Sequence, residues 1–538
     1  MSRAVPNEPP PPGYQMTSLS RSLVLLAVLA AAPSAAFTQN TPIRAPRRAS
    51  AAAVRRAVQT ITEADFSARL GALAHDSARG RETPSPELAK AADWIALQFR
   101  AAGLRPAGGD YLQRFTLRHT RFDSLSTLTF SGSGATTRWV LGRDIAVLGG
   151  GAPADSRDLP VVLMAGAPVD SARPFADVSV RGAVILLALP VDQNINNVIN
   201  SVWGHAGTAG ASALVVLADF PADRWARLLR RGVPQRWMLA ADAGAADGGT
   251  GLWIALLSPA ADLLRAAGED VATVLTPERG GIRALGGISS AITVHETTDE
   301  EPTVANVVGV LEGSDPTLRN EAVIFTAHYD HVGVVGGRCQ PSGALPADSI
   351  CNGADDNASG TVGIIELARA FATLRPRPAR TMIFAALAAE ERGLFGARHY
   401  VTQPVVPIER TVADINLDMI ARNPRDTVGF SRKDISSLGA VVDRMLREHP
   451  DLRLTPKEWE GSYPYSDHYI FAQHGVPGLF FFSGVYLDLH TAADNLDRAD
   501  AAQAVRVAQF AFYVGLDVAN TVGRPSWDPE ARARALGN

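Results

Sequence analysis

Acidic and histidine side chains stand at the ends of apolar segments in the second half of the chain. EAVIFTAH ends at His328, with Asp330 two residues later, and RTMIFAALAAEE ends in Glu390 and Glu391. Imidazoles and carboxylates without thiolates are ligand types that suit zinc, and a carboxylate within reach of a water molecule can act as a general base. These residue types therefore indicate a metal centre with an acid–base group beside it.

Further candidates of the same kind follow other segments. Asp418 lies at the end of TVADINLDM, His490 lies in LHTAADNLD, and Asp355 and Asp356 lie in NGADDNASGT, just before a predicted helix. Each alone has an ordinary structural explanation, such as a hydrogen-bonded strand-end histidine, a solvated loop or a helix N-cap. Surface charge has no reason to gather at the ends of successive strands, so the whole set favours a functional site.

Alternating strands and helices after residue 300 must position these side chains. EAVIFTAH, RTMIFAALAAEE, TVADINLDM and VPGLFFFSG are uninterrupted apolar strands, and TVGIIELARAFATL and SSLGAVVDRMLREH have helical periodicity. Such strands joined by helices predict an α/β fold with a mixed, mostly parallel sheet sandwiched by helices. In such a sheet, ligands bind at the carboxyl ends of the strands, which is where the candidates stand.

The number of candidate ligands indicates two metal ions rather than one. A catalytic zinc takes about three protein ligands and keeps one position open, and this chain offers five strong candidates. Two dications sharing one carboxylate, roughly 3.5–4 Å apart, fit the set better. The charges also balance, because two dications, three carboxylates and one bridging hydroxide sum to zero. Co²⁺ and Mn²⁺ are the expected substitutes for Zn²⁺.

The composition is that of an ordinary globular protein, with 46% apolar and 20% charged residues in a chain of 538. The net charge is 51 − 55 = −4 with no basic block, which argues against a nucleic-acid partner. Cys339 and Cys351 are the two cysteines of the sequence. In an exported protein such a pair predicts a disulfide across a short loop, and two unpaired thiols are the alternative.

Residues 1–36 have the pattern of a secretory signal. Arg21 precedes SLVLLAVLAAAPSAAF, an apolar run followed by small residues up to Ala36. The run is short and rich in alanine for a membrane span, so a single anchor helix is only the alternative. We therefore expect an exported protein, periplasmic or extracellular, with no stable membrane span after signal cleavage. Met16 is an alternative start, and residues 37–56 are expected to form a loose linker.

The pattern of apolar segments and turns changes between residues 136 and 290. Short apolar segments such as LPVVLMAG and ALVVLADF alternate with Gly- and Ala-rich turns, and His205 is the only histidine of this stretch. The pattern is typical of an inserted, smaller β-rich domain without chemistry of its own. We predict a site-bearing domain in two parts, residues 57–135 and 291–525, around the insert at 136–290, with a C-terminal tail at 526–538.

Six motifs, in this order, resemble a known family, the zinc-dependent metallopeptidase family 28, which includes secreted bacterial aminopeptidases and glutamate carboxypeptidases. The matching stretches are AHYDHVG, NGADDNASG, AAEERGLFGARHY, NLDM, YSDHYIFAQHGVP and LHTAADNLD. The resemblance covers about residues 300–520 and implies the zinc exopeptidase fold. GRETPSPELAKAADWIALQFRAAGLRP is similar to the family's N-terminal part, and residues 136–290 resemble the protease-associated domain that some members carry as an insert.

The resemblance implies which residues hold the two zinc ions. His328 and Asp418 are expected to hold one zinc, and Glu391 and His490 the other. The bridging carboxylate falls three residues before the serine of the motif, which makes Asp356 the bridge.

The resemblance also implies roles beside the metals. Glu390 is the expected general base, taking a proton from the bridging water and giving one to the leaving amine. Asp330 is expected to orient His328 through its other ring nitrogen. Tyr463 matches a tyrosine that supports the oxyanion, and Tyr465 is its nearby competitor.

The activity implied is that of an aminopeptidase acting on peptide substrates. A carboxypeptidase of the glutamate carboxypeptidase type is the alternative; it needs a basic pocket, and no arginine cluster is obvious, although Arg392, Arg398 and Arg422 are close in sequence. A glutaminyl cyclase resembles a one-zinc version of this fold, whereas this chain keeps every two-zinc ligand. A non-catalytic, receptor-like binding protein would have lost ligands or Glu390, and neither is lost.

Overall fold

Uninterrupted apolar segments form buried strands in the computed structural model of this chain. The strand Ala322–His328, for example, is buried at every position. The predicted signal segment 1–36 lies outside the described residues, and no helix within the described part is long and apolar enough to cross a membrane. The structure describes residues 46–132, 135–149, 156–166, 174–190, 195–230, 235–242, 250–271, 274–275, 281–459 and 461–536.

The strands belong to two sheets. In chain order they are β1 Arg105–Pro106, β2 Leu112–Phe122, β3 Thr127–Gly132, β4 Ala135–Val140, β5 Ile145–Gly149, β6 Ser156–Ala165, β7 Val184–Ala188, β8 Ala213–Ala218, β9 Gln235–Leu239 and β10 Gly251–Leu256. They continue with β11 Gly281–Thr293, β12 Glu296–Glu300, β13 Thr303–Leu311, β14 Ala322–His328, β15 Thr381–Leu387, β16 Thr411–Asp418, β17 Thr427–Ser431, β18 Thr455–Glu458 and β19 Gly478–Phe482.

The α-helices follow the predicted amphipathic segments. They are α1 Ala51–Val58, α2 Glu63–Leu73, α3 Pro86–Ala101, α4 Ile195–Thr208, α5 Ala222–Arg230, α6 Leu257–Ala266, α7 Gly360–Thr373, α8 Phe395–Thr402, α9 Leu438–Glu448, α10 His468–Gln473, α11 Ala501–Asn520 and α12 Pro529–Leu536.

The larger sheet carries the candidate site. Its strands run in the order β12-β2-β13-β15-β14-β16-β19-β17-β18, with β1 beside β13 and β9 beside β2. The central strands β15, β14, β16 and β19 are parallel, and β13 and β17 join them antiparallel on either side. The prediction of a mixed α/β sheet is therefore confirmed, with its parallel part at the centre. The prediction that the sheet is mostly parallel is wrong, because the antiparallel pairings outside the centre outnumber the parallel ones among the described strands.

Helices cover both faces of this sheet. On β14, Val323 and Phe325 pack into one core with residues of α2, α3, α7 and α11. The alternating residues Ala322 and Ile324 pack into a second core with residues of α8 and α10. Because both faces are covered, the central strands are mainly apolar. Polar side chains inside them are buried and paired, as where the hydroxyl of Thr326 on β14 donates a hydrogen bond to the carboxylate of Asp414 on β16 at 2.8 Å.

The predicted insert forms the smaller sheet, in the order β4-β3-β11-β6-β7-β8-β10-β5. Strands β6, β7, β8 and β10 are parallel, and α4, α5 and α6 lie between or after them in the chain. The sheet runs from Thr127 to Thr293, slightly beyond the predicted bounds 136–290. Strand β9 leaves the insert and pairs antiparallel with β2 of the larger sheet.

The predicted loose linker and the predicted C-terminal tail both contain helices. Within the predicted linker 37–56, helix α1 begins at Ala51, and the hydroxyl of Ser50 caps it by accepting a hydrogen bond from the N–H of Ala53. Within the predicted tail, α12 buries Leu536 against a small core that includes Ile435. The prediction of a loose linker is therefore wrong from Ala51 onward, because a side-chain cap and a few buried side chains suffice to order this helix.

Candidate metal centre

The NGADDNASGT segment forms an irregular turn that leads into α7. Gly353 has a φ of +57°, and a Cβ there would collide with the carbonyl oxygen of Asp356. A Cβ on Gly360 would collide with the carbonyl oxygen of Leu417, near the end of β16. Glycine is required at both positions, because only a residue without Cβ lets this loop approach the edge of the sheet so closely.

Asp356 lies between two groups of candidate metal ligands. Its Oδ1 is 3.3 Å from Nε2 of His328, which is in turn 3.3 Å from Oδ1 of Asp418. Its Oδ2 is 3.2 Å from Nε2 of His490, and Oε1 of Glu391 lies 3.2 Å from the same nitrogen. One carboxylate thus faces both groups through different oxygens, which is the geometry for bridging two ions.

His331 completes the second group, although the sequence analysis did not select it. Its Nδ1 lies 3.1 Å from Oε1 of Glu391 and 3.5 Å from Oδ2 of Asp356, and its side chain is fully buried. The signal was present as the second histidine of AHYDHVG. Strand periodicity places residues three apart on opposite sides, but β14 ends at His328 and the chain then turns, so that periodicity does not apply.

Asp355 holds neighbouring loops together instead of facing the ligand groups. Its Oδ1 accepts hydrogen bonds from the N–H of Ala421 at 2.7 Å and from the hydroxyl of Ser359 at 3.1 Å. Burial, with the Asp494 carboxylate nearby, raises the pKa of Asp355 well above its usual range. These contacts give Asp355 a structural role.

Asp494, which the sequence analysis also missed, fixes the backbone of the bridging residue. Its Oδ1 accepts a hydrogen bond from the N–H of Asp355 and its Oδ2 one from the N–H of Asp356, each at 3.0 Å. Asp494 follows His490 by four residues in LHTAADNLD. The same segment therefore supplies one ligand and the support of another.

The Asp330 carboxylate contacts Glu390 and not the ring of His328. Its Oδ1 accepts a hydrogen bond from the main-chain N–H of Glu390 at 3.1 Å, and its Oδ2 accepts one from the hydroxyl of Thr83 at 2.8 Å. Nδ1 of His328 lies 3.1 Å from the main-chain carbonyl oxygen of Asp330 and 3.8 Å from its carboxylate. The predicted role is therefore corrected: the carbonyl orients His328, and the carboxylate positions Glu390.

Glu390 and Glu391 are adjacent in sequence, but their pKa values are shifted in opposite directions. Burial raises the pKa of Glu390 well above its usual range, and the Glu391 carboxylate adds to that effect. Burial also acts to raise the pKa of Glu391, but the imidazoles of His331 and His490 lower it to about 2. Two carboxyl groups with opposite shifts suit a permanent ligand, Glu391, beside an acid–base group, Glu390.

A cavity of about 510 Å³ opens above both ligand groups. Its lining combines carboxylates and imidazoles from both ligand groups with mainly apolar side chains. The lining residues are His328, Asp356, Glu390, Glu391, Gly393, Leu394, Asp418, Met419, Ser462, Pro464, Tyr465, Phe480, Phe482, Val485, Leu489 and His490.

Tyr463 does not reach this cavity, so the oxyanion role predicted for it is wrong. Its side chain is 2% exposed and packs in a core cluster with Ile435, while its ring lies 4.5 Å from that of His468. Tyr465 lines the cavity and is 74% exposed. The two tyrosines lie in one turn of 3-10 helix, where residues two apart point in different directions.

A disulfide between Cys339 and Cys351 closes a loop beside the ligands. Within that loop, the N–H of Gln340 donates a hydrogen bond to the carbonyl oxygen of His490 at 2.8 Å, and its carbonyl accepts one from the N–H of Ala492 at 3.1 Å. Cys351 directly precedes the NGADDN segment. The disulfide and the two hydrogen bonds of Gln340 therefore link the loop that carries His490 to the loop that carries Asp356.

The donor atoms fit metal cations. Oδ1 of Asp418 is buried and has no hydrogen-bond partner among the described residues, although it faces Nε2 of His328. A buried carboxylate oxygen without a partner is costly, and a cation between these two side chains would satisfy it. Imidazole nitrogens and carboxylate oxygens without thiolates are a donor set that zinc accepts.

The fold and the site together define an α/β protein with a candidate two-metal centre at the carboxyl edge of its parallel strands. Residues 306–515 match the sequence profile of peptidase family M28. This part of the chain, which contains every candidate ligand, belongs to that family.

Curated relatives match over shorter stretches. A probable zinc metalloprotease of Leptosphaeria maculans is 39% identical over 94 residues, which is 18% of this chain and 19% of that relative. An aminopeptidase of Mus musculus is 33% identical over 138 residues, covering 25% of this chain and 16% of that protein. A leucine aminopeptidase of Sclerotinia sclerotiorum is 27% identical over 206 residues, covering 34% and 48%. The chain thus spans less than half the length of each of these relatives.

Solved structures are also similar. An aminopeptidase from Aneurinibacillus sp. strain AM-1 aligns with a TM-score of 0.48 at 18% identity, covering 87% of this chain and 96% of that one. A zinc aminopeptidase from Bacillus subtilis aligns with a TM-score of 0.44 at 17% identity, covering 84% and 94%.

Proposed function

We propose that this chain is an exported zinc-dependent aminopeptidase that removes N-terminal residues from peptides. The observation that carries the proposal is Asp356, whose two carboxylate oxygens face separate ligand groups in the lining of one cavity. Membership of peptidase family M28 supports peptide hydrolysis, and curated relatives include proteins described as zinc metalloprotease and leucine aminopeptidase.

His328, Asp356 and Asp418 would hold one zinc ion, and Asp356, Glu391 and His490 would contribute to the other. Zinc bound there supplies Lewis-acid polarisation of the scissile carbonyl and lowers the pKa of water in the site.

Glu390 supplies the proton transfers of the proposed reaction. It lines the cavity, and its Oε2 lies 3.9 Å from Nε2 of His328, at the first ligand group. Its carboxylate takes a proton from the attacking water, whose oxygen bonds to the carbonyl carbon. When the C–N bond breaks, Glu390 returns the proton to the leaving amine. The Asp330 carboxylate, through the main-chain N–H of Glu390, keeps this side chain beside the ligands.

The charges around the cavity favour a substrate with a free amino group. Glu390, Glu391, Asp356 and Asp418 all line it, whereas no lysine or arginine is among its described lining residues. A carboxypeptidase needs a cation for the substrate's terminal carboxylate. Two of the arginines that are close in sequence pair with other carboxylates, Arg392 with Glu82 at 2.7 Å and Arg422 with Asp488 at 2.8 Å.

Export belongs to the same proposal. The sequence of residues 1–36 has the pattern of a secretory signal, and the disulfide between Cys339 and Cys351 suits an oxidising compartment.

The proposal is tested with matched substrates on the zinc-loaded protein. Aminoacyl anilides with a free amino group are compared with their N-acetylated forms and with N-blocked dipeptides that have a free carboxylate. We expect cleavage of the free-amine substrates, with loss of activity after zinc removal by a chelator and recovery on adding zinc. Cleavage of the N-blocked dipeptides alone would establish a carboxypeptidase instead, and cleavage of none would refute both.

A further inference from the structure

The second ligand group contains one more donor than the proposed mechanism uses. Nδ1 of His331 is 3.1 Å from Oε1 of Glu391 and 3.5 Å from Oδ2 of Asp356, and Nε2 of His490 is 3.2 Å from each of the same oxygens. In a zinc tetrahedron with bonds of about 2.0–2.2 Å, ligand atoms lie roughly 3.3–3.6 Å apart. Four of the six edges are thus close to those of a tetrahedron whose corners are all protein atoms.

The ring of His331 is fixed in this position by its surroundings. Its main-chain N–H donates a hydrogen bond to the carbonyl oxygen of Arg81 at 3.2 Å, and its ring lies so close to Gly353 that a Cβ there would collide with it. The fully buried guanidinium of Arg81 donates to the carbonyl oxygens of Tyr329 at 2.8 Å and Asn352 at 2.7 Å. Arg81 therefore ties the loop of His331 to the loop of Asp356.

The neighbours of Nδ1 distinguish a ligand from a simple hydrogen-bond donor. Both oxygens near it, on Glu391 and Asp356, also face His490 at nearly equal distances. A donor that served only to orient Glu391 would need one of these contacts. Two imidazole nitrogens arranged in the same way around the same two oxygens point to a shared cation.

We propose that Nδ1 of His331 is a fourth protein ligand of the second zinc. The two zinc sites then differ in kind. The second, with His331, Asp356, Glu391 and His490, is filled by protein atoms, as in structural zinc sites. The first, with three protein ligands, keeps an open position toward the cavity, as in catalytic zinc sites. The second zinc therefore binds first and more tightly.

The test measures the two zinc dissociation constants of the purified full-length protein by competition with a chelator of known affinity. His331→Ala is expected to weaken one constant by about 10-fold or more and to leave the other unchanged. His331→Asn keeps a hydrogen-bond donor without an imidazole and is expected to be as weak as His331→Ala. His399→Ala removes a histidine that stacks on Phe115, away from both ligand groups, and should change neither constant.

Two results would overturn the proposal. The first is an unchanged zinc affinity in His331→Asn, which would show that no zinc ligand is needed at this position. This holds whether or not His331→Ala binds zinc more weakly. A crystal structure of the zinc-loaded protein gives the direct answer: we expect zinc at about 2.0–2.1 Å from Nδ1, and a distance beyond about 3 Å would refute ligation whatever the variants show.

The inference rests on the zinc centre of the proposed function, but its test follows metal binding and not hydrolysis. A protein that binds zinc through His331 and cleaves no peptide would refute the function and keep the ligand. A protein that cleaves aminoacyl anilides with His331 remote from zinc would do the reverse.

Discussion

The guanidinium carbon of Arg392 lies 5.4 Å from the centre of the Trp237 indole ring. Arg392 directly follows Glu391, whereas Trp237 belongs to β9, the strand that the insert adds to the larger sheet. The same guanidinium donates hydrogen bonds to the carbonyl oxygen of Thr83 at 2.8 Å and to the carboxylate of Glu82 at 2.7 Å. The insert therefore contacts the segment that carries Glu390 and Glu391.

Replacing Trp237 by Ala should impair turnover without removing zinc. Arg392 holds Thr83, whose hydroxyl binds Asp330, and Asp330 positions the N–H of Glu390. A cation–π contact is worth roughly 0.5–2 kcal/mol. If this energy stabilises only the transition state, its loss lowers kcat/KM by about 2- to 30-fold. Steady-state kinetics with a free-amine anilide, together with metal analysis, measure both quantities.

Two further variants separate this effect from general damage to the insert. Trp237→Phe keeps an aromatic face and should retain most of the activity. Trp203 lies in the insert and donates its indole N–H to the carbonyl oxygen of Thr250. An equal loss of kcat/KM in Trp203→Ala would mean that the integrity of the insert, and not the contact with Arg392, is responsible.

Glu390→Gln should leave the zinc content and the fold unchanged but lower kcat by roughly 10²–10⁴-fold. Gln is isosteric and keeps the hydrogen bond from the main-chain N–H to Asp330, but it does not take up a proton at neutral pH. The exposed Glu530, whose carboxylate faces Arg534 on α12, provides the matched control as Glu530→Gln. Turnover in Glu390→Gln within a few-fold of Glu530→Gln would remove Glu390 from the proposed mechanism.

The neighbours Asp355 and Asp356 should respond in opposite ways to the same substitution. Asp356→Ala removes the one side chain common to both ligand groups, so both zinc ions and all activity should be lost. Asp355→Ala should retain zinc but lower the free energy of unfolding by about 1–3 kcal/mol, because the buried N–H of Ala421 loses its acceptor. Metal analysis and urea unfolding measure the two effects; loss of zinc in Asp355→Ala alone would reverse the assignment.

The sequence predicted the residues that end strands. An apolar run that stops at His328 or Asp418 shows where a parallel strand ends, and such ends share one edge of the sheet. The strand ends therefore indicated one metal-binding edge, and the family resemblance implied which five residues are its ligands. The proposed general base has the same signal, since Glu390 follows β15 closely.

The residues that the sequence analysis missed depend on how the chain turns after a strand. His331 reaches the second group because the chain bends beyond His328. Tyr465, and not Tyr463, lines the cavity because residues two apart in a 3-10 turn point in different directions. Neither turn can be predicted from hydrophobic periodicity, because such short turns have no repeating pattern of apolar residues. The pairing of β9 with β2 joins residues far apart in the chain, so no local pattern indicates that the insert reaches the larger sheet.

His468 is a buried histidine that packs behind the cavity, and its protonation can be tested. Its ring is fully buried and stacks on that of Phe480 at 4.2 Å, and Phe480 lines the cavity. Burial lowers the pKa of His468 to about 3, from an ordinary value of 6.5. The imidazole is therefore neutral in the folded protein throughout the range in which an unfolded chain would protonate it.

His468 should make the folded protein less stable as the pH falls below about 6.5. Between pH 6.5 and 3 the unfolded chain binds a proton at this site that the native state does not, so the free energy of unfolding decreases by up to about 1.4 kcal/mol per pH unit from this residue alone. His468→Gln removes this titration, and losses from other groups act equally on both proteins. Urea unfolding at pH 7.5, 6 and 5 should therefore show the stability advantage of the native protein over His468→Gln shrinking with acid. Parallel pH dependence in the two proteins would mean that the buried imidazole is protonated in the folded state.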